Sequence, residues 1–127
     1  YAYGAIGEWM YQVVAGLAMD PADPGYRHVL IQPQPGGGLT SAEARLETLL
    51  GVAGSAWRRV GQRLHVTATV PPNARGTVRL PGAVLASVTE GGRAIATAPG
   101  VRQARQQGGV VVVEVGSGRY ELSYEVN

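Results

Sequence analysis

The chain has 127 residues, of which 45% are hydrophobic, and it contains no cysteine. This length supports one ordinary hydrophobic core, and the missing cysteines exclude disulfides and thiolate metal sites without assigning a compartment. All eleven basic residues are arginines, they are scattered along the chain, and the formal charge is only +2. We therefore expect no nucleic-acid partner. No apolar stretch reaches the roughly 18 residues of a membrane span, so we expect no membrane contact.

Residues 1–17 are predicted to form an α-helix, because apolar residues recur at helical spacing without an intervening proline. Only Glu8 and Gln12 are clearly polar, so this helix has no broad solvent face. We expect it to need neighbours on nearly every side, and we expect the chain to be the end of a larger polypeptide, cut just before or within its last buried helix. Without those neighbours, the helix should fold over the remaining domain or pair with a second copy. The residues available for such self-association are Ile6, Trp9, Met10, Val13 and Leu17.

After a turn at 23–25, residues 26–33 have the β-branched centre and closing proline of a strand. His28 lies in this stretch, and no second histidine, cysteine or carboxylate stands at ligand spacing from it. We interpret His28 as a residue on a strand face rather than a catalytic group or metal ligand.

The signals for residues 40–50 conflict. A capping-box pattern begins at Thr40, and helix-forming residues follow it, but apolar and charged residues also alternate as in a half-buried strand. We choose the strand because β-structure is predicted on both sides. Glu43 and Glu47 then lie on its outer face, where solvated carboxylates are a better interpretation than a catalytic pair.

Residues 55–60 and 63–70 are predicted to form a hairpin with a turn at Gly61. In its second arm, alternate residues from Leu64 to Val70 should face the core. Trp57 lies in the first arm. We interpret Trp57 as a core residue and keep it as the one weak candidate for a substrate-binding residue, namely a platform on which a sugar ring stacks.

Further strands are predicted at 76–81, 84–89, 93–97 and 101–106. Residues 110–115 should pair with 120–126 across Gly116, Ser117 and Gly118, with Tyr120, Leu122 and Tyr124 on one apolar face. Repeated short strands separated by turns are typical of an antiparallel β-sandwich. The fold class is therefore mainly β, an antiparallel β-sandwich preceded by one N-terminal α-helix.

Several segments resemble the C-terminal end of bacterial α-L-rhamnosidases that have an (α/α)6-barrel catalytic domain. They are YAYGAIGEWMY at 1–11, DPGY at 23–26, HVLIQP at 28–33, GGGLT at 36–40, SAW at 55–57, VPPN at 70–73 and VRLP at 78–81. The resemblance covers residues 1–81 in motif and the remainder only in its β character.

This resemblance implies that residues 1–20 are the last helix of the catalytic barrel and that residues 21–127 are a C-terminal β-sandwich packed on it. It places the acid and base carboxylates, and a sugar-contacting histidine, upstream of Tyr1. The parent enzyme would hydrolyse terminal α-L-rhamnosyl residues with inversion. This chain is then a bracing part with no catalytic residue, no cofactor and no activity alone. The alternative is a sugar-binding module that uses Trp57 or an exposed tyrosine.

Overall fold

The computed structural model describes residues 17–19, 28–33, 40–48 and 51–125. These residues form eleven strands and two short 3-10 helices, Leu85–Ser87 and Ile95–Thr97. The strands are β1 (Leu17–Met19), β2 (His28–Ile31), β3 (Ser41–Thr48), β4 (Gly51–Val60), β5 (Arg63–Val70), β6 (Arg75–Pro81), β7 (Thr89–Glu90), β8 (Arg93–Ala94), β9 (Val101–Gln107), β10 (Val110–Val115) and β11 (Gly118–Glu125). Within the described residues, no helix has the length and apolar character needed to cross a membrane.

The strands form two sheets. The five-stranded sheet has the order β1-β2-β6-β10-β9, and the six-stranded sheet has the order β3-β4-β5-β11-β7-β8. All pairs are antiparallel except β2 with β6, which is parallel. The prediction of a mainly β fold is therefore confirmed, and the expectation of a purely antiparallel arrangement is corrected at this one pair.

The core lies between the two sheets and is built by period-two alternation. On β5, Leu64, Val66, Ala68 and Val70 are all buried, as the sequence predicts. The five-stranded sheet contributes aliphatic residues, chiefly from β2, β6 and β10, while the six-stranded sheet contributes the large aromatic side chains Trp57, Tyr120 and Tyr124. Burial of these apolar side chains supplies the main driving force for folding.

The predicted helix over 1–17 is wrong at its last residue. Leu17 begins strand β1, which pairs antiparallel with β2 through the register Leu17 to Ile31. The Leu17 side chain is only 5% exposed and belongs to the core cluster. Apolar spacing could not reveal this change, because a leucine at this point fits a buried helix and a buried strand equally well. The other residues of the predicted helix, 1–16, lie outside the described residues.

The conflict over residues 40–50 is settled in favour of the strand. β3 covers Ser41–Thr48 and pairs along its length with β4. Ala42 and Ala44 are buried, whereas Glu43, Arg45 and Glu47 are exposed. The partner strand therefore outweighs the local preference for helix. The hairpin of β4 and β5 is also confirmed, with Val60 opposite Arg63.

The predicted hairpin between 110–115 and 120–126 is wrong in its pairing, although both segments are strands. β10 lies between β6 and β9 in one sheet, and β11 lies between β5 and β7 in the other. The link at Gly116 and Ser117 crosses from one sheet to the other. The hydroxyl of Tyr120 secures this crossing by donating to the carbonyl oxygen of Gly116 at 2.9 Å, the arrangement of a tyrosine corner in other sandwiches.

The strands predicted at 84–89 and 93–97 are mostly 3-10 helix instead. Only Thr89–Glu90 and Arg93–Ala94 pair as strands, around a turn at Gly91 and Gly92. The remaining residues of both segments turn the chain so that Val88 and Ile95 reach the core. A pattern of short apolar stretches cannot distinguish such turns from strands.

Candidate functional site

The outer face of the six-stranded sheet carries a groove of about 720 Å³. Strands β3, β4, β5 and β11 point every second side chain into it, so that polar residues collect there. The charged and polar lining includes Glu43, Arg58, Arg63, His65, Thr67 and Glu121. Across the floor of the groove, the Arg63 Nε donates to the Ser123 Oγ at 2.6 Å, which joins β5 to β11.

The two carboxylates that border this groove, Glu43 and Glu121, lie on strands that are not neighbours in the sheet. Glu43 lies on β3 and Glu121 on β11, three strands away, which corresponds to about 14 Å between their backbones. Glu43 and Glu47 lie four residues apart on one strand, or about 13 Å. An inverting pair requires about 6.5–9.5 Å between the two carboxyl groups. The backbones of both pairs are therefore farther apart than the two carboxyl groups of such an enzyme, and the groove offers mainly polar contacts.

Trp57 is not available as a sugar platform. Its side chain is 2% exposed and packs in the core between the sheets. Tyr120 and Tyr124 are buried as well, and the burial of Tyr124 raises the pKa of its hydroxyl. Stacking requires an open ring face, which none of these three aromatic residues presents. The interpretation of Trp57 as a core residue fits its burial, and its weak candidacy as a substrate-binding residue does not.

His28 lies on a strand face, where it takes part in a chain of hydrogen bonds across three strands of the five-stranded sheet. The His28 Nε2 lies 2.7 Å from the Thr77 Oγ1, and this hydroxyl donates to the Glu114 Oε1 at 2.8 Å. Because the hydroxyl has a single proton and gives it to the carboxylate, it accepts from His28. The His28 Nε2 is therefore protonated and donates to the Thr77 hydroxyl.

Thr77 and Glu114 were not singled out from the sequence. They belong to β6 and β10, whose register places them opposite each other, while the parallel pairing of β2 with β6 brings His28 to the same face. Predicting this set of hydrogen bonds would require knowledge of the strand order, and the spacing of residues in the sequence does not provide it. Among the described residues, no group of three or more histidines and carboxylates is placed to hold a metal ion.

The sequence model of the bacterial α-L-rhamnosidase C-terminal domain matches residues 16–94. An α-L-rhamnosidase of Streptomyces avermitilis is 44% identical over 81 residues, and one of Formosa agariphila is 43% identical over the same length. Each alignment covers 64% of this chain and 8% of the relative. The chain therefore spans only a small part of the length of these curated relatives.

Solved structures agree with the sequence matches. The structure of the Streptomyces avermitilis α-L-rhamnosidase complexed with L-rhamnose superposes with a TM-score of 0.77 at 36% identity, over 98% of this chain and 11% of that one. The α-L-rhamnosidase from Dictyoglumus thermophilum gives a TM-score of 0.80 at 30% identity, over 97% of this chain and 14% of that one. By its sequence and by its two-sheet fold, the chain belongs to the family of bacterial α-L-rhamnosidase C-terminal domains.

Proposed function

We propose that the chain is the non-catalytic C-terminal β-sandwich of an α-L-rhamnosidase-like glycoside hydrolase, and that it braces the catalytic barrel that precedes it. The parent enzyme would hydrolyse terminal α-L-rhamnosyl residues with inversion of configuration. One observation carries this proposal: the family match covers residues 16–94 as a C-terminal domain, while the chain accounts for only 8% of the curated relatives.

The chemistry of the described residues supports a role without catalysis. Inverting hydrolysis needs one carboxyl group to protonate the leaving oxygen and a second to activate water. Glu43, Glu47 and Glu121 are exposed and far apart along the backbone.

We place the border between barrel and sandwich before Leu17. The core position of Leu17 and the start of the family match at residue 16 support this choice over a border at residue 20. On this proposal, residues 1–16 are the last helix of the barrel, and Ile6, Trp9, Met10 and Val13 pack against it. These four side chains would favour self-association only when the barrel is removed, and Leu17 would contribute nothing because it is already buried in the core.

The bracing role predicts that the catalytic part depends on this chain. We would compare the polypeptide that carries the chain with a version truncated after residue 16. The truncated enzyme should melt at least 5 °C lower, or fail to accumulate in soluble form, because an apolar surface of the barrel loses its cover. An unchanged melting temperature and unchanged rhamnosidase activity would refute bracing.

A further inference from the structure

The two outer faces of the sandwich differ in how exposed their outward side chains are. On the six-stranded sheet, the outward residues Glu43, Arg45 and Glu47 are exposed and alternate in charge. On the five-stranded sheet, the outward residues include the shielded side chains Thr77, at 8% exposure, and Val112, at 1%. Val112 points away from the core, since its neighbours Val111 and Val113 both belong to the core cluster and Val112 does not.

We call the second surface the five-stranded outer face. It is formed by outward residues of β2, β6, β9 and β10, namely His28, Leu30, Arg75, Thr77, Arg79, Arg105, Val112 and Glu114. We propose that this face docks the chain onto the upstream part of its own polypeptide, and that the surface it meets is acidic. This inference rests on the proposed bracing function and adds to it the contact face and the charge of the partner.

The face has the make-up of an interface. The strand register places Val112 between Arg79 on β6 and Arg105 on β9. Arginine stems can cover an apolar neighbour while the guanidinium group stays at the surface. Arginine is enriched at the surfaces by which proteins associate, and Arg75, Arg79 and Arg105 are exposed on this face. The hydrogen-bond chain from His28 through Thr77 to Glu114 satisfies the polar groups between them.

The charge of the face indicates the charge of its partner. Among the described residues of this face, Arg75, Arg79 and Arg105 are exposed, against the one carboxylate of Glu114. That carboxylate already accepts a hydrogen bond from Thr77. The face is therefore positive, and complementary association requires carboxylates on the opposing surface.

The position of β1 indicates which partner meets this face. β1 is an edge strand of the five-stranded sheet, and its first residue, Leu17, follows directly on the upstream segment. Two strand spacings, or about 10 Å, separate β1 from β6, which carries Thr77 and Arg79. Since the relatives are many times longer and the matched family is a C-terminal domain, the upstream chain reaches the sandwich at this sheet.

Cysteine labelling in the complete polypeptide tests the face. Four exposed arginines are replaced one at a time: Arg79→Cys and Arg105→Cys on the five-stranded outer face, with Arg45→Cys and Arg58→Cys on the opposite face as matched controls. Maleimide modification of each position is followed by peptide mass spectrometry, natively and in urea. We expect the first two to react at least tenfold more slowly than the controls in the native protein, and all four to react alike in urea.

The outcomes separate the two proposals. Slow reaction at Arg45→Cys and Arg58→Cys, with fast reaction at the other pair, would overturn the docking face and leave bracing intact. Equally fast reaction at all four would refute both.

Charge reversal tests whether the partner surface is acidic. Arg79→Glu with Arg105→Glu should lower the melting temperature of the complete polypeptide by several degrees more than Arg45→Glu with Arg58→Glu does. Adding 0.5 M salt should reduce this difference. An equal effect of the two pairs would overturn the predicted charge.

Discussion

The hydroxyl of Tyr124 forms a single polar link between the two sheets that a conservative substitution can remove. Tyr124 lies on β11 with its side chain fully buried, and its hydroxyl donates to the Pro81 carbonyl oxygen on β6 at 2.8 Å. Tyr124→Phe keeps the ring and its packing and deletes only this hydrogen bond. The substitution therefore measures the link itself rather than a cavity.

The expected loss follows from the balance of hydrogen bonds. One intramolecular hydrogen bond contributes about 1 kcal/mol, and a carbonyl left without a partner costs more when it is buried. Pro81 is partly exposed, so water can reach the vicinity of its carbonyl. We expect the free energy of unfolding to fall by about 1 kcal/mol. For a domain of this size that corresponds to a melting temperature lower by roughly 3–5 °C.

The pKa of the same hydroxyl adds a dependence on pH. Burial raises the pKa of Tyr124, so the folded chain keeps this proton at a pH where the unfolded chain has lost it. The stabilisation is complete below the unfolded value of about 10 and decreases as pH rises above it, by up to about 1.4 kcal/mol per pH unit. Tyr124→Phe removes this contribution.

Urea unfolding followed by circular dichroism at pH 8 and pH 10.5 provides the assay. The unsubstituted chain should lose more stability between these two values than Tyr124→Phe does. Tyr120→Phe serves as the control. Burial also raises the pKa of Tyr120, but its hydroxyl donates to the Gly116 carbonyl oxygen and not to that of Pro81. Equal losses for the unsubstituted chain and Tyr124→Phe, or no loss of stability at pH 8, would refute the reasoning.

Two further substitutions, each with a matched control, test the crossing and the core by the same unfolding assay. Gly100 has φ +83°, and a Cβ there would lie 2.5 Å from the Tyr120 hydroxyl oxygen, so Gly100→Ala should cost about 2–4 kcal/mol. Gly108→Ala, with φ +62° and open space around it, should cost only about 1 kcal/mol, and equal effects would contradict the close contact. Trp57→Ala should cost about 3–5 kcal/mol, whereas Val60→Ala on the same strand, at 57% exposure, should stay within about 0.5 kcal/mol. A mild Trp57→Ala variant would show that this ring does not support the core.

Most of what the sequence predicts correctly about the fold comes from the alternation of apolar and polar residues along single strands. The two faces of β5 and β11 follow from every second residue being apolar, and the observed burial of Leu64 and Leu122 agrees. At β3 the signals were balanced, and the choice depended on neighbouring strands. Pairing between distant strands has no such local signal, because the partner is set by the packing of the whole sandwich.

The errors have the same physical origin. Gly116 and Ser117 look like a hairpin turn, but they link two strands of different sheets. β10 lies in the interior of the five-stranded sheet, where its neighbours are β6 and β9 rather than the next strand in sequence.

The link from His28 through Thr77 to Glu114 could not be predicted for a related reason. Its three residues lie far apart along the chain and meet only through the order β2-β6-β10.

The proposed bracing role requires that this chain contributes no catalytic group. Incubating the purified 127-residue chain with p-nitrophenyl α-L-rhamnoside, beside the complete polypeptide, tests it directly. We expect no release of p-nitrophenol above the blank from the chain alone and ready release from the complete polypeptide. Turnover by the chain alone that Glu43→Gln or Glu121→Gln abolishes would contradict the account.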